Sequence, residues 1–201
     1  MSQQSPPAGL AGIEQALRGQ ETGGHPPVHL WNPPYCGDIG MRIAGDGTWF
    51  YQGSPIGRKP LVKLFASVLR KDEDGQTYLV TPAEKVLVTI DDAPFMAVEM
   101  DSEGTGSEQR LSLRTNVDDW VVCGPDHPMR FGKDPRTGGP KPYVTVRGRL
   151  EALLTRALYY DLVALAQVEH VDGVDLLGVW SCGIFYPMAP AGSIEGLTTE
   201  R

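Results

Sequence analysis

Residues 41–90 read MRIAGDGTWFYQGSPIGRKPLVKLFASVLRKDEDGQTYLVTPAEKVLVTI, and this stretch decides the fold class. Gly45-Asp46-Gly47 supplies residues that tolerate positive φ between two short runs containing apolar residues, which is a hairpin signal. Leu61, Leu64, Phe65 and Val68 then recur at i, i+3, i+4 and i+7. PLVKLFASVLR is therefore expected as a one-sided helix, with Pro60 tolerated in its first turn. TYLVT and KVLVTI are β-branched and apolar, and are expected as strands joined by a short turn at Pro82-Ala83-Glu84. The stretch predicts a β-β-α-β-β unit, and with it an α+β protein.

Toward the C-terminus, FMAVEM, QRLSLRTN, WVVCG, PMRFG and PYVTVR read as further strands. Leu111 and Leu113 alternate with Ser112 and Arg114, and Val144 and Val146 with Thr145 and Arg147, so one face is buried and the other wet. RLEALLTRALYYDLVALA keeps Leu150, Leu154, Ala157, Leu158, Leu162 and Leu165 on one stripe and is expected as the second main helix. It ends before a turn at Asp172-Gly173, and LLGVWSCGIFYPM is expected as a single closing strand. Residues 1–30 are rich in Ser, Gln, Pro and Gly and are expected as a mobile lead-in, with at most a short helix at Leu10–Leu17; 191–201 is a polar tail.

The body then divides into an N-terminal unit, 31–93, and a C-terminal unit, 94–190. Each half runs strands, a Gly-Arg junction (Gly57-Arg58, Gly148-Arg149), a helix, and a strand ending at proline (Thr81-Pro82, Tyr186-Pro187). The echo predicts an internal duplication: two small similar units with mixed or antiparallel sheets and one main helix each.

Composition narrows the function classes. The 201 residues are 41% hydrophobic and 21% charged, enough to bury a core. Twenty-four glycines and 17 prolines predict many turns and more sheet than helix. A net charge of −7 and a pI near 5.1 argue against a nucleic-acid duplex as partner. Glu99, Asp101, Glu103 and Glu108 are expected as a solvated acidic loop. Cys36, Cys123 and Cys182 are odd in number, widely spaced and in no C-x-x-C pair, which speaks against a disulfide framework or a structural zinc. There is no apolar run of membrane-spanning length and no secretory signal pattern, so the expected location is cytoplasmic.

GDIGMRIAGDGTWFYQGSPIGR, YLVTPAEKV, APF, TNVD, GPDHP, PYVTVR and GVWSCGIFYP occur here in one order, and together they resemble the bacterial domain-of-unknown-function 1285 family. The likeness runs from about Pro33 to Pro187. It implies a two-part α+β fold of repeated motifs, with a C-terminal part superficially similar to pleckstrin-homology domains. It further implies a nucleotide-like ligand at the junction of the parts and a role in signal transduction. It carries no catalytic residues and is silent on the first 30 residues and on 132–142.

The residues add a local inconsistency. A helix start presents unsatisfied N–H groups and positive potential, so acids belong there. Instead Arg58 and Lys59 stand at the first expected helix, and Arg147 and Arg149 flank the second. An anionic ligand would turn these cations from a cost into a clamp. Tyr160 and Trp180 are the stacking candidates for a base, and Lys85 and Asn116, at strand ends, could add polar contacts. Alternatively the cations reach back to carboxylates such as Glu151, and the aromatics are core. GSPIGRK lacks the spacing and hydroxyl of a phosphate-binding hydrolase loop, and Pro26-Pro27 keeps His25 and His29 off one helical face. Cys123 and His127 share a Pro-flanked turn with no sign of nucleophile geometry. The expectation is a non-catalytic ligand-binding or regulatory protein, with no cofactor or metal, that takes an anionic small molecule between its two units. Its rivals are a protein-interaction scaffold, recognisable by an uncovered sheet edge or apolar patch, and an enzyme with unrecognised residues.

Overall fold

The structure, a computed structural model, describes residues 25–193. The expected helix at Leu10–Leu17, most of the lead-in and residues 194–201 of the tail lie outside them. By packing the chain divides into two units. The first extends to Pro94 and also takes in Gly148–Leu150; the second comprises Phe95–Arg147 and the chain from Glu151.

In the first unit, β1 (Tyr35–Ile43), β2 (Trp49–Tyr51) and β3 (Ser54–Pro55) form an antiparallel meander in which Ile43 faces Trp49 and Met41 faces Tyr51. The expected turn lies between β1 and β2, closed by the Thr48 carbonyl accepting from the Ala44 N–H at 2.9 Å. Helix α1 (Lys59–Ser67) follows, then a second meander of β4 (Leu69–Lys71), β5 (Thr77–Val80) and β6 (Lys85–Ile90). The sheet runs β3-β2-β1-β6-β5-β4, with β1 and β6 parallel at its centre. A parallel pair needs a long crossover, and the chain from β2 to β5, with α1 in it, provides one. Leu61, Phe65 and Ala66 of α1 are buried, Phe65 stacked on Trp49 at 6.4 Å, over a core that includes Met41, Ile43, Leu79, Val86 and Val88. The helix is shorter than its periodicity implied. It stops at Ser67, whose hydroxyl donates to the Leu64 carbonyl at 2.7 Å, and Leu69 leaves it to pair with Leu79.

The second unit repeats this wiring. Strands β7 (Phe95–Glu103), β8 (Arg110–Thr115) and β9 (Trp120–Val122) form one meander, and β10 (Met129–Lys133), β11 (Pro140–Arg147) and β12 (Leu150–Leu154) follow. The order is β10-β11-β12-β7-β8-β9, with β7 and β12 parallel at the centre, as β1 and β6 are in the first sheet. The duplication is present, but in a different register from the expected one. Strand order equates β1–β6 with β7–β12, so Gly148-Arg149 corresponds to the turn before β6 and not to Gly57-Arg58.

Three expectations are corrected here. The segment Leu150–Leu154 is strand, not helix: Leu150, Ala152 and Leu154 are buried in alternation, and α2 (Arg156–Ala164) begins only after Thr155, its N-cap. Leu-Glu-Ala-Leu-Leu is a strong helix former, but the slot between β11 and β7 requires an extended segment, and pairing outweighs propensity. Glu99, Asp101 and Glu103 are not in a loop. They extend β7 into solvent and pair with β8, Glu103 opposite Arg110. The closing apolar segment is two strands rather than one: β14 (Val174–Ser181) and β15 (Ile184–Pro190) turn at Cys182-Gly183, both left-handed (φ 51° and 75°). With β13 (Gln167–Val171), which the sequence did not disclose, they make a third, three-stranded sheet ordered β13-β14-β15.

This third sheet is held to the second by Ser181, which is fully buried. Its hydroxyl donates to the Cys123 carbonyl at 2.7 Å and accepts the Leu111 N–H at 3.0 Å. Cys182 N–H to the Gln109 carbonyl, and Gln109 Nε2 to the Trp180 carbonyl, both at 2.8 Å, flank it.

Candidate functional site

At the start of α1, Arg58 is the N-cap, extended at φ −82° and ψ 97°, with no side-chain cap; Lys59 and Pro60 open the helix, and no acid lies in the first turn. The Arg58 carbonyl accepts from Leu61 and Val62 at 3.0 and 3.1 Å. Pro60 has no N–H to offer, and the segment Gly57–Pro60 is exposed throughout. Two exposed cations therefore stand at a positive helix end. Each costs a few tenths to about 1 kcal/mol unless an anion is near.

Arg147 does not belong to this picture. With the second helix starting at Arg156, neither Arg147 nor Arg149 flanks a helix start. Arg147 ends β11 with its guanidinium over the Phe95 ring, 4.9 Å from the centroid, and Nη1 donates to Asp119 Oδ2 at 2.5 Å. Burial holds its pKa below the usual guanidinium value, and the Asp119 carboxylate offsets only part of that. Asp119 is placed by its own turn: the Thr115 hydroxyl accepts the Asp119 N–H at 3.0 Å, and the Asp119 carbonyl accepts from Thr115 N–H at 2.8 Å. This is a structural ion pair. Arg149, in the turn between β11 and β12, donates to Glu73 Oε1 at 3.3 Å, both side chains well exposed.

Lys85 is also engaged. Its ammonium lies 2.9 Å from Asp72 Oδ2 and 4.3 Å from the centre of the Tyr78 ring. Asp72 accepts in addition from Arg70, whose Nη1 reaches the carbonyls of Val28 and Trp31. Burial opposes ionisation of Asp72, yet the hydrogen bonds from Arg70 and Lys85 win and hold its carboxyl below the usual range. The hydrogen bond to Asp74 at 2.6 Å, with burial second, pushes the Tyr78 hydroxyl up to about 12.

Asn116 clasps β7 in both directions, its Oδ1 accepting the Met96 N–H at 3.1 Å and its own N–H donating to the Met96 carbonyl at 2.8 Å. Tyr160 is exposed on α2, with its hydroxyl accepting from Arg156 Nε and Nη2 at 3.0 and 2.9 Å. Trp180 packs on Phe185 at 5.4 Å, and its Nε1 donates to Glu169 at 3.0 Å. Of the eight expected residues, Arg58 and Lys59 alone are neighbours at a helix start. Arg147, Lys85, Asn116 and Trp180 serve local structure, and Arg149 and Tyr160 make surface contacts.

The motif around Cys123 is structural as well. Burial raises the Cys123 thiol to about 12, and His127 Nδ1 meets the Thr145 carbonyl at 3.1 Å rather than a thiol. Gly178 in GVWSCGIFYP is required by close packing, since a Cβ there would lie 2.5 Å from both Phe185 Cζ and the Tyr186 carbonyl oxygen. Among the described residues no cluster of His, Cys, Asp and Glu could hold a metal, and no helix is long and apolar enough to cross a membrane.

Two sheet-rich units with the same strand wiring, one helix each, define a duplicated α+β protein. Residues 26–93 match the profile of the DUF1285 N-terminal domain, described as a domain of unknown function, and 94–188 that of the DUF1285 C-terminal domain. The chain belongs to the DUF1285 family. It is similar to the crystal structure of a DUF1285 family protein from Silicibacter pomeroyi DSS-3, at 48% identity and a TM-score of 0.86 over 93% of this chain and 98% of that one. A DUF1285 family protein from Shewanella baltica OS155 matches at 27% identity and a TM-score of 0.48, over 63% of this chain and 91% of that one. No curated protein matches.

Proposed function

We propose that this protein is a binding and regulatory module whose small-molecule ligand is anionic and nucleotide-like, held at the start of α1 in the first unit. One observation carries the reading: Arg58 and Lys59 stand exposed at a helix start whose first turn holds no acid. Phosphate oxygens there would meet the helix dipole, the Lys59 ammonium and a guanidinium fork, three attractions that reinforce one another. The part in signal transduction and the cytoplasmic location belong to the same proposal. Cys36, Cys123 and Cys182 are all free thiols, as a reducing compartment would keep them.

The test is a thermal-shift and calorimetric titration with ATP, pyrophosphate and inorganic phosphate, on the natural chain and on Arg58→Ala/Lys59→Ala. A ligand at a hundred times its dissociation constant adds about 2.7 kcal/mol of stability. That shift is expected in the natural chain and lost in the double variant, whose unliganded melting temperature holds or rises by up to about 8 °C, because each cation removed from the helix start relieves at most about 1 kcal/mol. No shift with any phosphorylated compound, or an equal shift in the variant, defeats the reading.

A further inference from the structure

Among the described residues the three sheets have six edge strands, and most of them carry a guard against pairing with another chain. Edge strands are kept monomeric by shortness, prolines, charges or cover. Strand β3 is two residues long and includes Pro55, and β9 has three residues. Beside β4, also three residues, Arg70 ties down the carbonyls of Val28 and Trp31. Strand β10 carries Arg130 and Lys133, and β15 carries Pro187 and Pro190. Among the described edges, β13 alone combines five residues with no proline, lysine or arginine.

Its outward peptide groups can be assigned. The two-residue turn Asp172-Gly173, left-handed at φ 49° and 82°, makes Val171 and Val174 a hydrogen-bonded pair. Alternation along an antiparallel ladder then gives the inward bonds to Gln167, Glu169 and Val171 and turns the N–H and C=O groups of Val168 and His170 outward. Around this edge Val168 is 56% exposed, Val174 50% and Val171 37%. The accompanying charges are acidic: Glu169, Asp172 and Asp175, with His170 bonded to Asp175 at 2.7 Å.

We infer that β13 is a docking edge for an extended segment of a partner protein, added to the third sheet as a fourth strand. The segment carries Lys or Arg opposite Glu169 and apolar side chains opposite Val168 and Val171. Backbone pairing to Val168 and His170 supplies affinity, and the charge pattern supplies selectivity. A second copy of this chain fits less well, because the register that pairs β13 fully against itself sets two Glu169 carboxylates face to face. The inference concerns the second unit and is independent of the anion reading.

The experiment selects displayed random heptapeptides on the full chain, with counter-selection on Val168→Lys. Enrichment of sequences with one basic residue next to an apolar one and a second apolar residue two positions beyond the basic residue is expected. A selected peptide should slow amide exchange at Val168 and His170, and Val168→Lys should weaken it at least tenfold while keeping the natural urea midpoint. If Val168→Lys does not fold, Glu169→Lys replaces it and should switch the selected charge from basic to acidic. No enriched pattern, binding without protection of these two amides, binding indifferent to the substitution, or a concentration-dependent dimer protecting the same amides each overturns the inference.

Discussion

Replacing Arg147 by alanine is expected to destabilise the second unit by roughly 3 kcal/mol, with its magnitude set by desolvation. The Arg147 and Asp119 side chains are 19% and 18% exposed and meet at 2.5 Å. Truncating one member of a buried pair leaves the other charge without compensation, at about 3–5 kcal/mol; residual exposure of both groups places this pair near the lower bound. For a chain of this size, about 3 kcal/mol corresponds to a drop in melting temperature of roughly 6–12 °C. Lost packing of the guanidinium on Phe95 adds to the effect and does not offset it. Urea unfolding followed by tryptophan fluorescence measures it, with Arg147→Met/Asp119→Leu as the companion variant. Removing both charges together should recover most of the loss, since a buried pair and an apolar pair of similar volume are often close in stability. A single variant within about 1 kcal/mol of the natural chain, or a double variant worse than the single, refutes the assignment of Arg147 to structure.

The Asp72 carboxyl gives a pH prediction: its folded pKa is depressed, so the stability it contributes is present above its unfolded pKa of about 3.9 and lost as pH falls through the lower folded value. The urea midpoint should therefore fall less between pH 5 and pH 2.5 in Asp72→Asn than in the natural chain; equal falls would dismiss the network. Gly178→Ala forces a Cβ to within 2.5 Å of Phe185 and the Tyr186 carbonyl, and should cost at least about 1–3 kcal/mol by urea titration. A neutral result would mean that β14 and β15 shift freely.

The first unit was legible because its signals are local. Gly45-Asp46-Gly47 closes a hairpin through its own backbone preferences, and the Leu61-Phe65 spacing puts apolar groups on one helical face whatever surrounds it. The start of α1, hence Arg58 and Lys59, follows from the same spacing. The partners of Arg147 and Lys85 were not legible: Asp119 is 28 positions from Arg147 and Asp72 is 13 from Lys85, and no periodicity connects them. The turn at Asp172-Gly173 was visible, but β13 before it is a polar segment that becomes a strand only by pairing with β14.

Residues 149–166 mark where the sequence stops deciding. By themselves they specify one apolar stripe, and Leu150 to Leu165 satisfies a helix as well as a strand followed by a helix. What the sequence alone determined was an α+β chain with two related halves and a cationic first-helix start. The tertiary structure decided that 150–154 lies extended between β11 and β7, which removes Arg147 and Arg149 from any helix start. The physical reason is that a parallel central pair in the second sheet gains ladder hydrogen bonds and buries Leu150, Ala152 and Leu154, and that gain exceeds the few tenths of a kcal/mol per residue by which helix propensity differs.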